Sequence, residues 1–247
     1  LFKGNPAAVC PLETWLSDDL LQNIAAENNL SETAFYVKNS EGYHLRWFTP
    51  TTEVELCGHA TLAAAFVIFQ YQAFPEDTIK FQSCSGILSV KKNGDYLVLD
   101  FPADVITETE LSEGFIHPFN ESPIQAFKGR IDYLLVFKDE TTIMNLEVNI
   151  PLLSKIEARG IIATARGTKS DFVSRFFAPR VGVDEDPVTG SAHTTLVPYW
   201  SQQLNRYEFT ARQLSKRGGL LQCRLVKDRV EIGGKAVGYL QGDIILT

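Results

Sequence analysis

The chain has 247 residues, 45% apolar and 21% charged, with a formal net charge of -7. That length suits one large domain or two of roughly 120 residues, and the acidic balance argues against nucleic acid as a partner. The longest apolar run, ATLAAAFVIF, covers ten residues, about half of the roughly 20 that cross a bilayer, so no membrane span is expected.

The chain opens abruptly on LFKGNPAAV, which reads as the end of a strand or loop followed by a turn at Asn5-Pro6. TWLSDDLLQNIAAENN reads as an amphipathic helix, with Ser17 available as its cap and Asp18 and Asp19 suited to its first turn. TAFYVK and HLRWFTP follow as strands, rich in aromatic and β-branched residues. GHATLAAAFVIFQYQ is apolar nearly all round, which predicts a helix covered on most sides by sheet. In TIKFQSCSGILSVKKNGDYLVLDFP two alternating runs flank Asn93-Gly94, the signature of a tight hairpin.

PADVITETELSEGF is polar and turn-prone and reads as the domain linker, dividing the chain into 1–105 and 106–247. DYLLVFK, TIMNLEVN, GIIATA and FVSRFFAP are expected as a second series of strands or strand-like segments. SAHTTLVPYWSQQL reads as a second central helix whose start Pro198 limits or kinks. YEFTARQ, LLQCRLVKDRVEIGG and AVGYLQGDIIL are expected to finish the chain as a β-rich meander. This is a mixed α/β pattern without the strand–helix alternation of a doubly wound sheet.

The halves echo each other. Arg46-Trp47-Phe48-Thr49-Pro50 precedes Gly58-His59-Ala60-Thr61 and a helix; Arg175-Phe176-Phe177-Ala178-Pro179 precedes Gly190-Ser191-Ala192-His193-Thr194 and another. Read as a duplication, they place two loop–helix junctions face to face across a cleft, a common place for a small ligand. Main-chain N–H groups at such junctions lack helical acceptors, and glycine permits close approach, so a small carboxylate would suit them. Simple capping by Thr189 or Ser191 is the plainer alternative.

Four cysteines, Cys10, Cys57, Cys84 and Cys223, form no CxxC, and four histidines, His44, His59, His117 and His193, form no HExxH. The spacing therefore predicts reduced thiols, a cytoplasmic setting and no metal site. His59 reads either as a satisfied, partly buried histidine or as a ligand-facing one. Asp184, Glu185 and Asp186 read as a solvated acidic cluster or as carboxylates of which one faces a pocket. Cys57 neighbours Gly58 and His59, but adjacency alone does not make it a nucleophile. Arg46 and Arg175 read as strand-end ion pairs rather than substrate clamps.

FKGNPAAV, NLSETAF, LRWFTPTTEVELCGHATLA and GVDEDPVTGSAH, in this order over nearly all of the chain, resemble the phenazine-biosynthesis-like isomerase family. The resemblance is closest to its vertebrate phenazine-biosynthesis-like domain proteins. It implies an α+β, diaminopimelate-epimerase-like fold. Two pseudo-symmetric domains would each wrap a curved, mostly antiparallel sheet around a central helix, and the last strand could pack back on the first. The family's best-understood enzyme moves a proton along the ring of a dihydro-hydroxyanthranilate without metal or organic cofactor. Carried over by motif, its catalytic glutamate falls on Glu32, its histidine on His59, and an aspartate and a serine on Asp186 and Ser191. Glu32 would take and return the proton, His59 and Asp186 would hold and polarise substrate groups, and Ser191 with Gly190 and Gly58 would bind the carboxylate. Partial desolvation can raise a carboxylate from about 4.3 toward the range such a shuttle needs.

Diaminopimelate epimerase and its racemase relatives use two facing cysteines. Here Cys57 stands in the first block, while the second reads Pro187-Val188-Thr189-Gly190, so two-cysteine racemisation is not expected. The resulting expectation is a cofactor-independent isomerase acting on a small unsaturated carboxylic acid through a single glutamate. A homodimer is expected, with room for a protein partner. A binding or scaffolding protein on the same fold is the alternative, and a metal- or nucleotide-dependent enzyme a third reading, disfavoured by spacing.

Overall fold

A computed structural model describes residues 1–246. The chain divides into two units: Leu1–Phe2, Pro6–Leu99 and the segment from Gly234 onward form the first, Lys3–Asn5 and Asp100–Gly233 the second.

In the first unit the elements run β1 (Ala7–Leu12), α1 (Asp18–Asn28), β2 (Glu32–Asn39), β3 (Gly42–Phe48), β4 (Glu53–Val54), α2 (Gly58–Tyr71), β5 (Thr78–Ser83), β6 (Gly86–Asn93) and β7 (Tyr96–Pro102). The sheet order is β1-β2-β3-β5-β6-β7, with β4 hung on β3. β1 runs parallel to β2, starting at Ala7 opposite Glu32, and β3 runs parallel to β5; the other pairs are antiparallel. α1 begins after Ser17, ends on a left-handed Asn29, and buries Leu21, Ile24 and Ala25 against Phe35 and Phe48. α2 turns Ala60, Thr61, Ala64, Ala65 and Ile68 fully inward and packs on β1, β2 and β6. Its small alanines let the sheet approach closely. The β6–β7 turn is one residue off the expected place. Asn93 pairs with Tyr96, so the two-residue loop is Gly94-Asp95, and Gly94 supplies the positive φ of +58° that a primed turn requires.

The second unit contains β8 (Thr107–Thr109), α3 (Glu113–Ile116), β9 (Gln125–Lys128), β10 (Asp132–Val136), α4 (Glu140–Met144), α5 (Ile150–Leu153), β11 (Gly160–Arg166), β12 (Phe172–Phe177), α6 (His193–Leu204), β13 (Glu208–Gln213), β14 (Gly219–Val226) and β15 (Arg229–Gly234). Its strands follow the order β15-β14-β13-β12-β11-β10-β9-β8. β10–β11 and β12–β13 are parallel and the remaining pairs antiparallel. The sheet curves around α6. Tyr199 meets Phe127 of β9, Trp200 stacks on Phe172 of β12 and donates its indole N–H to Thr164 Oγ1 of β11, and the same helix contacts β14.

Pro198 lies inside α6 rather than at its start. A proline at that position leaves the carbonyl of Thr194 without its helical donor. The Asp104 N–H supplies one at 3.0 Å, and Asp104 Oδ2 accepts from Thr195 Oγ1 at 2.9 Å.

Three expected elements differ. PADVITETELSEGF is not a bare linker, because it holds β8 and α3. The front of TIMNLEVN is helical: Asp139 accepts the Thr142 N–H at 2.8 Å and caps α4, leaving only an isolated bridge at Val148. AVGYLQGDIIL forms no strand among the described residues and exposes Val237, Tyr239, Leu240 and Ile245. Its alternation suits a strand, but a strand exists only in a ladder.

Candidate active site

Glu32 and His59 arrive from separate elements of the first unit. Glu32 is the first residue of β2, and its backbone register against Ala7 is set by the parallel pairing with β1. His59 is the second residue of α2, immediately after Cys57 in the N-cap position and Gly58. The two side chains, about one-fifth exposed, meet with His59 Nε2 3.1 Å from Glu32 Oε2. On the other side of the ring, His59 Nδ1 lies 3.5 Å from the buried Cys57 sulfur. An imidazole held between a carboxylate and a thiol can pass a proton in either direction.

Burial opposes a charge on His59, but the Cys57 sulfur and the Glu32 carboxylate outweigh it and raise its pKa well above 6.5. Burial pushes the Cys57 thiol up as well, only partly offset by His59 and the Ala60 N–H. These two shifts compete, since a thiol that stays protonated cannot attract a charged imidazole strongly. The Glu32 carboxylate adds its own, smaller upward push on His59. A protonated Cys57 is a poor nucleophile, in keeping with the doubt about a covalent role. Glu32, Cys57 and His59 also bring one oxygen, one sulfur and one nitrogen within 4.8 Å of one another. No spacing along the chain marks that convergence.

The second unit carries the other expected residues. Asp186 Oδ1 accepts from Asn5 Nδ2 at 2.8 Å, and its other oxygen accepts a short hydrogen bond from Thr189 Oγ1. Asn5 also donates to the Val188 carbonyl, and buried Gln213 ties the loop by donating to Asp186 O at 2.8 Å and accepting from Thr189 N at 2.8 Å. Thr189 thus holds the loop rather than capping the helix. The acidic cluster separates: Glu185 pairs with Arg175 at 2.7 Å, Asp184 is exposed, and only Asp186 is built into this network. Gly190 and Ser191 form the turn that leads into α6, with the Gly190 carbonyl accepting from His193 N at 3.0 Å and the Ser191 carbonyl from Thr194 N at 3.1 Å. A Cβ added to Gly190 would meet nothing within 4 Å.

Arg159 was not anticipated. Its Nη1 and Nη2 each donate to Ser191 Oγ at 3.1 Å, while its Nε donates to buried Asp132 at 2.9 Å. A hydroxyl has two acceptor sites and one proton. With both sites taken by Arg159, Ser191 is left as a donor, the polarity a carboxylate ligand needs. The sequence signal, an arginine just before the strand GIIATA, is too common to single out.

Arg46 and Arg175 are both structural. Arg46 makes two contacts of 2.7 Å to Glu53 and lies over Trp15 and Phe48; Arg175 pairs with Glu185, donates to Leu146 O at 2.7 Å and lies over Phe177. The same arrangement in both units fits the internal echo seen in the sequence.

The comparisons with known proteins agree with this architecture. An uncharacterized isomerase of Pseudomonas aeruginosa is 48% identical over 246 residues, covering 100% of this chain and 94% of that protein. The mouse phenazine biosynthesis-like domain-containing protein 2 is 42% identical, over 98% of this chain and 94% of its own length, so the bacterial relative is the more similar of the two. Among solved structures, a PhzF-family phenazine biosynthesis protein of Enterococcus faecalis superposes with a TM-score of 0.97 at 46% identity, covering 100% of this chain and 95% of that one. A probable proline racemase from Agrobacterium radiobacter, only 7% identical, shares the fold with a TM-score of 0.61 over 89% of this chain and 77% of its own. The fold is the epimerase-like α+β fold expected. The family profile of phenazine biosynthesis-like proteins matches residues 1–242, and the chain belongs to this PhzC-PhzF family.

Proposed function

We propose that the protein is a cofactor-independent isomerase that shifts a proton within a small unsaturated carboxylic acid. The observation that carries this reading is the 3.1 Å approach of Glu32 to His59 at the start of α2. Glu32 abstracts a proton from a carbon made acidic by conjugation to an unsaturated acid and returns it to a second carbon. His59, beside the carboxylate, donates to negative charge that develops on the substrate. Asp186, fixed by Asn5 and Thr189, orients a polar substrate group, and Ser191, polarised by Arg159, donates to the substrate carboxylate together with the N–H groups near Gly190. The isomerase names of relatives such as the Pseudomonas aeruginosa protein support the reaction class.

The test is solvent deuterium incorporation into a panel of small unsaturated and amino carboxylic acids, read by mass spectrometry. Wild type should exchange or isomerise at least one acid, and Glu32→Gln should be about 10²–10⁴-fold slower, the usual contribution of a positioned acid/base. Tight binding of an acid with no exchange in either protein would sink the catalytic reading and leave a binding protein on an isomerase fold. The proposal includes a cytoplasmic homodimer; an elution mass of one chain would remove the dimer.

A further inference from the structure

The sulfur, nitrogen and oxygen that converge at the start of α2 do more than the proposed proton transfer requires. That transfer uses Glu32 and His59, and a buried thiol at Cys57 adds nothing to it that a small apolar side chain would not. We propose that Glu32, Cys57 and His59 bind a soft divalent cation, for which zinc is the probe, and that the bound ion silences the site.

The donor set selects the ion. One thiolate, one imidazole and one carboxylate suit zinc, with a fourth position open to water; magnesium and calcium prefer cages made only of oxygen. Around a tetrahedral zinc, bonds of about 2.0–2.3 Å place neighbouring ligand atoms roughly 3.3–3.6 Å apart. Here the three atoms lie within 4.8 Å of one another, so roughly an ångström of side-chain movement closes the set. Glu32 is held by the β1–β2 ladder and Cys57 and His59 by the first turn of α2, so the ligands sit on regular elements rather than on a loose loop.

Binding exchanges the thiol proton for the metal: the S–H bond breaks, a sulfur–metal bond forms, and the proton leaves to buffer. His59 ligates through one ring nitrogen and releases any proton that nitrogen carried. Glu32 contributes the same oxygen lone pair that would accept the substrate proton. Zinc bound there takes from Glu32 the basicity that the transfer needs. This inhibitory half rests on the proton-transfer reading; the binding half does not.

The experiment uses the protein with its exposed cysteine removed, Cys84→Ser, to suppress adventitious thiol binding. Cobalt(II) is titrated in as a coloured substitute, then displaced with zinc, and calorimetry in two buffers counts the protons released. One ion per chain, a near-ultraviolet thiolate-to-cobalt band and at least one proton per ion are expected. Cys57→Ser should abolish the band, and it and His59→Asn should each weaken zinc by more than the roughly 10–100-fold typical for loss of a supporting group. Circular dichroism confirms that each variant is folded. Absence of saturable binding, or a band undiminished in Cys57→Ser, overturns the site. Deuterium exchange that continues with zinc bound overturns the inhibitory half. If an acid binds tightly but does not exchange with or without metal, the proton-transfer reading fails while the binding result stands.

Discussion

Replacing Gly160 by alanine should damage the second unit through one ring. Gly160 starts β11 and pairs with Asp132 of β10. A Cβ there would lie 2.6 Å from Phe176 Cε2, closer still to Cζ, and 3.1 Å from Cε1. Ordinary carbon contacts begin near 3.5 Å, so the ring must retreat by roughly 1 Å or more. Phe176 is only 4% exposed, and the Arg159 guanidinium lies 5.4 Å from its ring centre. Overpacking of this kind costs about 1–3 kcal/mol, and the lower chain entropy of alanine in the unfolded state offsets about 0.4–1 kcal/mol of it. A ring this buried places the net loss in the upper part of the range, about 1.5–2.5 kcal/mol. For a chain of this size that is a fall in Tm of roughly 3–10 °C. Thermal unfolding by circular dichroism measures it, with Gly242→Ala as control because a Cβ there meets nothing within 4 Å. Adding Phe176→Leu should recover part of the loss in a double-mutant cycle. A Gly160→Ala protein as stable as wild type, or a loss unchanged by Phe176→Leu, would refute the steric account.

Other groups give independent tests. His193 is fully buried, donates Nδ1–H to Thr189 O at 2.9 Å, and has its pKa lowered from 6.5 to about 4 by burial. Its neutral form contributes stability that is present above pH 6.5 and lost as the pH falls toward 4, roughly 3 kcal/mol in all. Denaturant titrations between those pH values should show that slope, flattened in His193→Asn. His59 has the opposite sign: its raised pKa gives stability present below about 6.5 and lost as the pH rises through the folded value. The stability gap between wild type and Glu32→Gln should therefore shrink with rising pH; a gap that widens contradicts the ion pair. Arg159→Met should raise KM for any acid the exchange screen identifies by about tenfold or more, the scale of hydrogen bonds to a charged group, with a smaller effect on kcat. Arg159→Lys should recover only part of it, because an ammonium cannot reproduce the fork that holds both Asp132 and Ser191.

Local order was legible wherever a segment's own periodicity decided its state. α1, β2, β3 and α2 appear where the pattern places them, and the apolar circumference of α2 announced a helix enclosed by sheet. Local pattern misled where a short-range bond or a missing partner outweighed it: Asp139 capping α4 inside a strand-like run, and AVGYLQGDIIL, strand-like in sequence but without a ladder. The motif around Glu32 and His59 singled those residues out, yet not their meeting, which depends on β2 being registered against β1 beside the first turn of α2. The place of Cys57 beside His59 is equally illegible, because adjacency in sequence says little about direction. Arg159 could not be found at all, since its role depends on Asp132 and Ser191, distant in sequence, reaching one guanidinium. Side-chain period and turn chemistry alone placed α1, β2, β3 and α2, and the residue order alone matched a family motif. Which donors and acceptors face each other is settled by the folded chain, because hydrogen bonds and ion pairs act over about 3 Å, and nothing in a linear pattern measures that distance.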